Sequence, residues 1–169
     1  MIEKIKKVLP VAIALWPKLN DADVYQPMDK EGRPNDAEMR RYIVNLKFSD
    51  EDQREVDAWL KKCLADFVLK DGKLPWKKDK KTGELTLLAI SDEHCRPAAV
   101  DACNNKVPPT IKVDSGSKLK VYVTVNPYTG FGGGINLCIN SYQILDLREK
   151  SENPFVREKG YRSNRNRRE

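Results

Sequence analysis

"NPYTGFGGGINLCINSYQIL", residues 126–145, decides how this chain folds, because four of its nine glycines lie here and an apolar run follows them. A phosphate-binding loop follows a strand and opens a helix, so that backbone N–H groups meet the anion. The residues after Gly134 instead alternate between apolar and polar and include β-branched side chains, which predicts a strand. No Gly-Lys-Ser/Thr triplet follows either. We therefore interpret the glycines as the connection of a β-hairpin, where glycine supplies positive φ angles.

Upstream of this hairpin, two further strands are predicted from period-two alternation. Residues 11–16, "VAIALW", predict a strand that Pro17 ends, and the polar residues 20–41 predict a long loop. Residues 41–48, "RYIVNLKF", predict the second strand. Its inward side chains are expected to be Tyr42, Val44, Leu46 and Phe48.

The period then changes and predicts one amphipathic helix from residue 49 to a stop at Gly72. Ser49 is the expected N-cap, and three acidic residues follow it in the first turn, where they favour the helix dipole. Apolar residues recur at helical spacing on one face. They are Val56, Trp59, Leu60, Cys63, Leu64 and Phe67.

The second half of the chain reads as further strands. Residues 85–90 predict a strand, and residues 96–101 a short extended piece. Residues 110–128 predict a strand, a turn at residues 114–117 and a second strand whose inward side chains are Leu119, Val121, Val123 and Val125. Residues 135–147 predict the closing strand, with a bulge near Asn140 where the apolar phase shifts.

Five main strands and one helix after the second strand predict a mainly β fold, either a barrel or a sandwich. A closed sheet best protects strand edges at this size. The five-stranded oligonucleotide-binding (OB) barrel is one such closed solution.

Net charge is +6 and is concentrated at the C-terminal end. Residues 148–169 hold eight basic residues against four glutamates and very little apolar content, which predicts a disordered basic arm. Such an arm binds a polyanion through counterion release. The alternative is a solubilising tail. The candidate nucleic-acid contacts in the arm are Arg162, Arg165, Arg167 and Arg168.

Composition also excludes several classes of protein. No run of about 18 apolar residues exists, so no membrane-spanning segment is predicted. The four cysteines form no CxxC pair and there is one histidine, so free thiols in a reducing cytoplasm are expected rather than a zinc site. We expect no cofactor and a cytoplasmic location.

Residues 10–147 resemble the bacteriophage single-stranded DNA-binding proteins of OB-fold type, the class typified by the replication protein of T7-like phages. The matching stretches, in order, are "VAIALWPKL", "YIVNLKFSDED", "LLAISDEHCRPAAVD", "SGSKLKVYVTVNPY" and "GFGGGINLCINSYQIL". The resemblance implies an OB domain over residues 1–147 that coats single-stranded DNA, with little sequence preference, during replication, recombination and repair.

The same resemblance implies a protein without catalytic residues that works beside a phage polymerase or helicase. Whether the chain forms a homodimer stays open. Members of this class often end in an acidic tail that recruits replication proteins. This chain ends in a basic segment, residues 148–169, which puts such recruitment in doubt and suggests an arm that adds affinity for DNA, duplex included.

Candidate DNA-binding residues in the domain are lysines on outward strand positions, aromatic residues on loops, and basic residues beside them, because phosphates need cations and bases stack on aromatic rings. Trp16 has a core position as its alternative, Tyr128 and Phe131 have packing back onto the core as theirs, and the lysines after Trp76 have a solvated loop. The candidates are Trp16, Lys47, Trp76, Lys77, Lys78, Lys80, Lys81, Arg96, Lys120, Tyr122, Tyr128 and Phe131.

Two other functions remain open from the sequence. A metal-dependent nuclease would use converging carboxylates. Its residues would be Asp92, Glu93 and His94 with Asp21, Asp23, Asp29 and Glu31. A general duplex- or RNA-binding OB protein would use the same phosphate contacts and stacking as a single-stranded DNA binder, so composition does not separate the two.

Overall fold

The computed structural model describes residues 5–25, 31, 33, 39–69, 71–80 and 82–148. The fold within these ranges is mainly β, as predicted. Its elements are β1 (Lys6–Val8), β2 (Ala12–Tyr25), β3 (Met39–Lys47), α1 (Asp50–Asp66), β4 (Trp76–Lys78), β5 (Leu85–Asp92), β6 (Ala98–Val100), β7 (Lys106–Val107), β8 (Lys118–Tyr128) and β9 (Gly134–Asp146). A short 3₁₀ turn, Gly130–Gly132, lies between β8 and β9.

The five long strands close into a barrel. β2 pairs antiparallel with β3 and with β8, β3 pairs with β5, and β8 pairs with β9. A parallel contact between β5 and β9, with Ile90 opposite Cys138, completes the ring. The predicted five-stranded OB-type barrel, with one helix after the second long strand, is confirmed.

Alternating side chains of the five strands fill the barrel. Leu46 of β3 and Leu87 of β5 lie opposite each other and are fully buried. The predicted inward positions on β3 and β8 are confirmed. The other strand residues of the core are Ala12, Ala14, Leu19, Val44, Ala89, Leu119, Val121, Val123, Val125, Ile135, Leu137, Ile139, Tyr142 and Ile144.

The predicted glycine-rich hairpin is the connection between β8 and β9, and the predicted bulge is also present. Gly132 and Gly133 take φ angles of 89° and 80° at the end of the 3₁₀ turn. The register shifts between Tyr122 and Val123, which leaves Asn140 as the extra residue. The Asn140 side-chain amide donates to Oγ1 of Thr124 at 2.8 Å, which holds the bulge.

β2 does not end at Pro17, so that prediction is wrong. The strand continues to Tyr25, and its pairing with β3 shifts between Leu15 and Lys18. Trp16 takes a φ of 48° in this bulge. A proline has no N–H for a regular ladder but is tolerated at a bulge, so the strand passes through it.

The predicted loop over residues 20–41 is correspondingly shorter, because Asp23 pairs with Arg41 and Val24 with Arg40 in the extended β2–β3 hairpin. The predicted strand just before residue 114 is absent from the described residues. There the backbone N–H of Val113 donates to the Asn20 side chain at 3.0 Å. A side chain therefore satisfies backbone that a neighbouring strand would otherwise pair.

Helix α1 begins as predicted and ends earlier than predicted. Oγ of Ser49 accepts a hydrogen bond from the Asp52 N–H at 3.3 Å. The apolar face packs into the core, with Val56, Leu60, Cys63 and Leu64 buried and Trp59 and Phe67 partly buried. The helix ends at Asp66 rather than at Gly72, because Val68 adopts a φ of 58°, which stops the helix.

Candidate nucleic-acid interface

The outward side chains of β3 and β5 form one surface, which we call the β3/β5 face. Because Leu46 and Leu87 point into the core, the residues that alternate with them point outward. Ile43 lies opposite Ile90 in this register. The face consists of Arg41, Ile43, Asn45, Lys47, Thr86, Leu88, Ile90 and Asp92.

The middle of the β3/β5 face is apolar and partly exposed. Ile43, Leu88 and Ile90 are each half-buried, and Cys138 of β9 extends the surface past Ile90. Asn136 lies two residues before Cys138, on the same side of β9. A nucleobase presents an apolar face with polar edges, so a floor of this kind accommodates bases of any identity.

The end of the β8–β9 hairpin stands beside this floor. A cavity of about 120 Å³ joins Tyr128 to Leu88 and Ile90 of the floor. Lys73 and Lys77 line the same cavity. The structure thus brings two predicted residues, Tyr128 and Lys77, to one place.

Gly134 explains why the hairpin lies there. The Lys73 N–H donates to the Gly133 carbonyl at 2.9 Å, and the Ile135 N–H donates to the Lys73 carbonyl at 3.0 Å. A Cβ atom on Gly134 would lie 2.5 Å from the Lys73 carbonyl oxygen and 2.6 Å from the Tyr128 hydroxyl. Only glycine permits this approach, which fixes Tyr128 against the segment that carries Lys73.

Lysines border the β3/β5 face. Lys73 and Lys77 are exposed on one side, and Lys18 of β2 is exposed on the other. Nζ of Lys47 lies 2.5 Å from Oε1 of Glu84, and about 40% of each side chain is exposed. An exposed ion pair contributes little to stability, so a phosphate could replace Glu84 as the partner of Lys47 at small cost.

Lys120 and Tyr122 lie on the other side of the barrel. They project from β8, whose hydrogen-bonded neighbours among the described strands are β1, β2 and β9. Lys47 belongs to β3 and Lys77 to β4, and both of these strands pair with β5. In a closed ring of five strands, β8 lies across from the β3–β5 pair. The sequence named all four residues as candidates for DNA binding, and the structure places them on two faces.

Trp76 is engaged in structural contacts. Its Nε1 donates to Oδ1 of Asp57 in α1 at 3.0 Å, and its ring meets Phe48 edge to face, with centroids 6.3 Å apart. The side chain is half-buried against the core. These contacts connect β4 to the helix, so we leave Trp76 out of the interface proposed below.

Trp16 is exposed, so the alternative core position does not apply. Its side chain is 56% exposed, and its backbone N–H donates to Oγ of Ser115 at 2.8 Å. This places the Trp16 backbone beside the turn that precedes β8. Its role in binding stays a prediction.

Arg96 is exposed at the mouth of a separate cavity of about 330 Å³, which Tyr142 and Lys106 also line. Its Nη2 donates to the Asn20 carbonyl at 2.5 Å. Burial raises the pKa of Tyr142, and the charge of Arg96 opposes that shift. Arg96 is therefore tied to β2, away from the hairpin, and its contact with phosphate stays a prediction.

The remaining candidates are partly outside the described residues. Lys78 is exposed in β4 and Lys80 in the turn after it. The backbone of Phe131 lies in the 3₁₀ turn. Lys81, the Phe131 side chain and the arm residues Arg162, Arg165, Arg167 and Arg168 lie outside what the structure describes.

The acidic segment proposed for a nuclease forms a local turn. The His94 N–H donates to Oδ1 of Asp92 at 3.2 Å, and Nε2 of His94 lies 3.4 Å from Glu93. Within the described ranges, no three His, Cys, Asp or Glu side chains are grouped closely enough to hold a metal ion. Asp29 lies outside those ranges.

None of the four cysteines, all of which lie in the described residues, forms a disulfide. Cys63 is buried in the core, Cys138 is half-buried, and Cys95 and Cys103 are exposed. Burial raises the pKa of the Cys63 thiol, and the nearby Asp66 adds to that effect. Cys63 is therefore a protonated core residue at neutral pH.

Several residues of the candidate interface were missed by sequence reasoning: Lys18, Lys73, Ile43, Leu88, Ile90 and Asn136. Three of them are apolar side chains at outward strand positions. The sequence did indicate these three residues, because a strand with apolar side chains on both faces is expected to be covered by other groups on both faces. Lys18 and Lys73 carried no local signal, because their places depend on the β2 bulge and on the Gly134 contact.

The closed ring of five strands defines an OB-fold protein, and solved phage proteins share it. The chain is similar to gp2.5, a single-stranded DNA-binding protein encoded by bacteriophage T7, with a TM-score of 0.64 and 18% identity over 95% of this chain and 100% of that chain. It is also similar to the single-stranded DNA-binding protein from bacteriophage Enc34, with a TM-score of 0.58 and 14% identity over 90% of this chain and 87% of that chain.

A third similar structure is the Enc34 protein in complex with ssDNA, with a TM-score of 0.54 and 15% identity over 86% of this chain and 88% of that chain. No family model matches the chain, and no curated protein matches it in sequence. The fold implied by the resemblance is thus confirmed. Within the described ranges, no helix has both the length and the apolar character that a membrane span requires.

Proposed function

We propose that this protein is a phage-type single-stranded DNA-binding protein that coats DNA without sequence preference. The observation that carries the proposal is the β3/β5 face: a half-buried apolar floor, bordered by lysines and by Tyr128, on the outside of a closed OB-type barrel. OB folds bind oligonucleotides on this pair of barrel strands and the adjoining loops. The similar phage proteins, one of them in complex with ssDNA, support the same function.

Phosphate contacts supply most of the affinity in this proposal. Lys73 and Lys77 are exposed beside the Tyr128 cavity, and Lys47 exchanges Glu84 for a phosphate. Each neutralised phosphate releases condensed counterions, so the logarithm of affinity falls by about 0.7 per contact for each log unit of salt. Binding is therefore expected to weaken steeply with salt.

Stacking supplies the preference for single strands. Tyr128 and the floor of Ile43, Leu88 and Ile90 offer apolar surface to unpaired bases. A paired base inside a duplex hides its faces against its neighbours and does not reach this surface. Each base stacked on an aromatic ring contributes about 1–3 kcal/mol whatever its identity, which accounts for tolerance of sequence.

In this function the protein acts in replication, recombination and repair of phage DNA in the host cytoplasm, without catalysis of its own. The basic arm, residues 148–169, adds contacts to duplex DNA. A phage polymerase or helicase is the protein partner that the resemblance implies, and a homodimer stays open. The arm's charge supports the duplex contacts, and the resemblance of residues 10–147 to phage proteins supports the role in replication.

The test is fluorescence anisotropy with labelled oligo(dT), a matched duplex and a matched RNA at two salt concentrations. Tightest binding to oligo(dT), weakened by salt, supports the proposal. Equal affinity for all three would support a general OB binder instead. Incubation of the labelled oligonucleotide with the protein and Mg²⁺ tests the nuclease alternative. A shortened product would overturn the non-catalytic function.

A matched pair of variants locates the binding site in the same assay. Lys77→Ala is expected to lower affinity for oligo(dT) and to reduce the salt slope by about 0.7. Lys62→Ala removes the same charge from an exposed position on α1, away from the β3/β5 face, and is expected to bind as the wild type does. Equal losses in both would assign the effect to net charge alone.

A further inference from the structure

A second groove lies on the outer side of β8 and β9, across the barrel from the β3/β5 face. Its volume is about 240 Å³. Val8 of β1 pairs with Tyr122, so both side chains lie on the same side of the sheet, and Val8 is 56% exposed. We call it the β8/β9 groove; its lining is Val8, Val100, Asn104, Lys120, Tyr122, Ser141, Tyr142 and Gln143.

The charge around this groove is basic. Lys6, Lys118 and Lys120 occupy the same outward phase of β1 and β8. Of the nearby acids, Asp146 lies opposite Lys118, and the Asp101 carboxylate accepts backbone N–H groups of the β6–β7 connection. Those N–H groups lower the pKa of Asp101 and neutralise part of its field.

Tyr122 and Lys120 are available for a ligand. Both are half-buried, so their positions are defined, while one side of each faces the groove. Within the described part of the chain, neither side chain takes part in an ion pair or a hydrogen bond. A phenol ring beside an ammonium group is the combination that binds a base and its phosphate.

The two faces are joined by an unbroken row of paired residues on the outward phase of the strands, in which Thr124 is buried and the other members are exposed or half-buried. Each member lies opposite the next in the strand pairing, and the row begins and ends with lysine. The row is Lys6, Thr124, Cys138, Ile90, Ile43 and Lys18. With neighbouring strands about 4.8 Å apart, the path from β3 over β5 and β9 to β8 spans about 14 Å.

We propose that a single DNA strand bound on the β3/β5 face continues over β9 into the β8/β9 groove. There Tyr122 stacks a base and Lys120 binds a phosphate. This inference rests on the proposed function and extends it: the binding site is longer than one face of the barrel, and the strand wraps around it across the strands. Charge complementarity and the unbroken row favour nucleic acid as the occupant over an apolar protein partner.

The experiment compares the affinities for oligo(dT) of about 6 and about 16 nucleotides, which lie near the short and long ends of the site sizes of OB folds. In Tyr122→Ala, the ratio of the affinity for the longer oligonucleotide to that for the shorter is expected to fall at least fivefold. Lys120→Glu is expected to lower the same ratio and the salt slope measured with the longer oligonucleotide. Tyr122→Phe keeps the ring and is expected to keep the ratio.

The outcomes separate this inference from the proposed function. If the wild type binds oligo(dT) and Tyr122→Ala and Lys120→Glu leave the ratio unchanged, the wrapped path is wrong and the β3/β5 face stands. If both variants lose affinity for the two lengths equally, the groove is part of one short site and the inference is also overturned. If the wild type does not bind oligo(dT), the proposed function itself fails.

Folding is checked by circular dichroism and thermal unfolding of every variant. Lys120 is a surface charge, so Lys120→Glu is expected to fold even if Tyr122→Ala does not. Lys62→Glu on α1 makes the same charge change outside both faces and is expected to leave the ratio of affinities at the wild-type value.

Discussion

Ile90 of β5 lies opposite Cys138 of β9, and this parallel pair closes five strands into a barrel. The contact has a functional consequence. It places the outward residues of β9 between the β3/β5 face and the β8/β9 groove, so that β9 connects the two.

Replacing Tyr128 by Ala is expected to lower ssDNA affinity by about 1–3 kcal/mol, because one stacking ring is lost. The measurement is a binding isotherm with oligo(dT). Tyr128→Phe is the matched control and retains the ring, so its affinity should stay near that of the wild type. Unchanged affinity in Tyr128→Ala, with the fold intact, would remove the hairpin end from the site.

Replacing Trp76 by Ala is expected to act on stability rather than on binding. The ring contacts Phe48 and its Nε1 bonds to Asp57, so its loss leaves a cavity between β4 and α1. Since the side chain is only half-buried, we expect about 2–4 kcal/mol less free energy of unfolding, measured with urea.

Trp16→Ala is the control for this change, because Trp16 is 56% exposed. Its effect on the free energy of unfolding is expected to stay within about 0.5 kcal/mol. A Trp76→Ala protein as stable as the wild type but weak in ssDNA binding would return Trp76 to the stacking role that the sequence suggested.

Gly134→Ala is expected to destabilise the protein by about 1–3 kcal/mol, because the new methyl group meets the Lys73 backbone and the Tyr128 hydroxyl. Gly130→Ala lies in the same hairpin and meets nothing within 4 Å, so it is the matched control. Thermal unfolding of both variants measures the difference. Equal melting temperatures would show that the Lys73 segment moves aside without cost.

Tyr142→Phe is expected to reduce the loss of stability in alkali. Burial raises the pKa of Tyr142 above its ordinary value of 10.0. Because this pKa is higher in the folded state, the contribution of Tyr142 to the free energy of unfolding is fully present below the pKa of the unfolded state. It is lost as pH rises through the pKa of the folded state. Urea unfolding between about pH 8 and about pH 11 should show a smaller decline in Tyr142→Phe than in the wild type; parallel declines would contradict it.

Deleting residues 149–169 is expected to weaken binding to duplex DNA more than binding to oligo(dT). The deletion removes seven basic residues and four glutamates. It starts after Arg148 because the Arg148 N–H donates to Oγ of Ser117 at 2.8 Å and its carbonyl accepts from the Asp114 N–H at 3.0 Å. Equal losses on both DNA forms would contradict the assignment of the arm to duplex contacts.

The described fold could be predicted in large part from local pattern. Alternation located β3 and β8 with their inward residues, helical spacing located α1, and the glycines before Ile135 located the hairpin. The predicted bounds were wrong where the local sequence pattern conflicts with a contact between residues far apart in the chain. Pro17 looked like a strand end because a bulge that tolerates it is visible only from the pairing with β3.

Local periodicity is enough to assign which residues face inward and which outward, because side-chain direction follows from the period of a strand or helix. Which outward residues share a surface depends on how the strands pair. Lys47 and Lys120 look equivalent in sequence, yet the ring closed by Ile90 and Cys138 places them on opposite sides. Tyr128 stands by Lys73 because Gly134 leaves room for backbone contact, a condition set by strand neighbours that local periodicity does not specify.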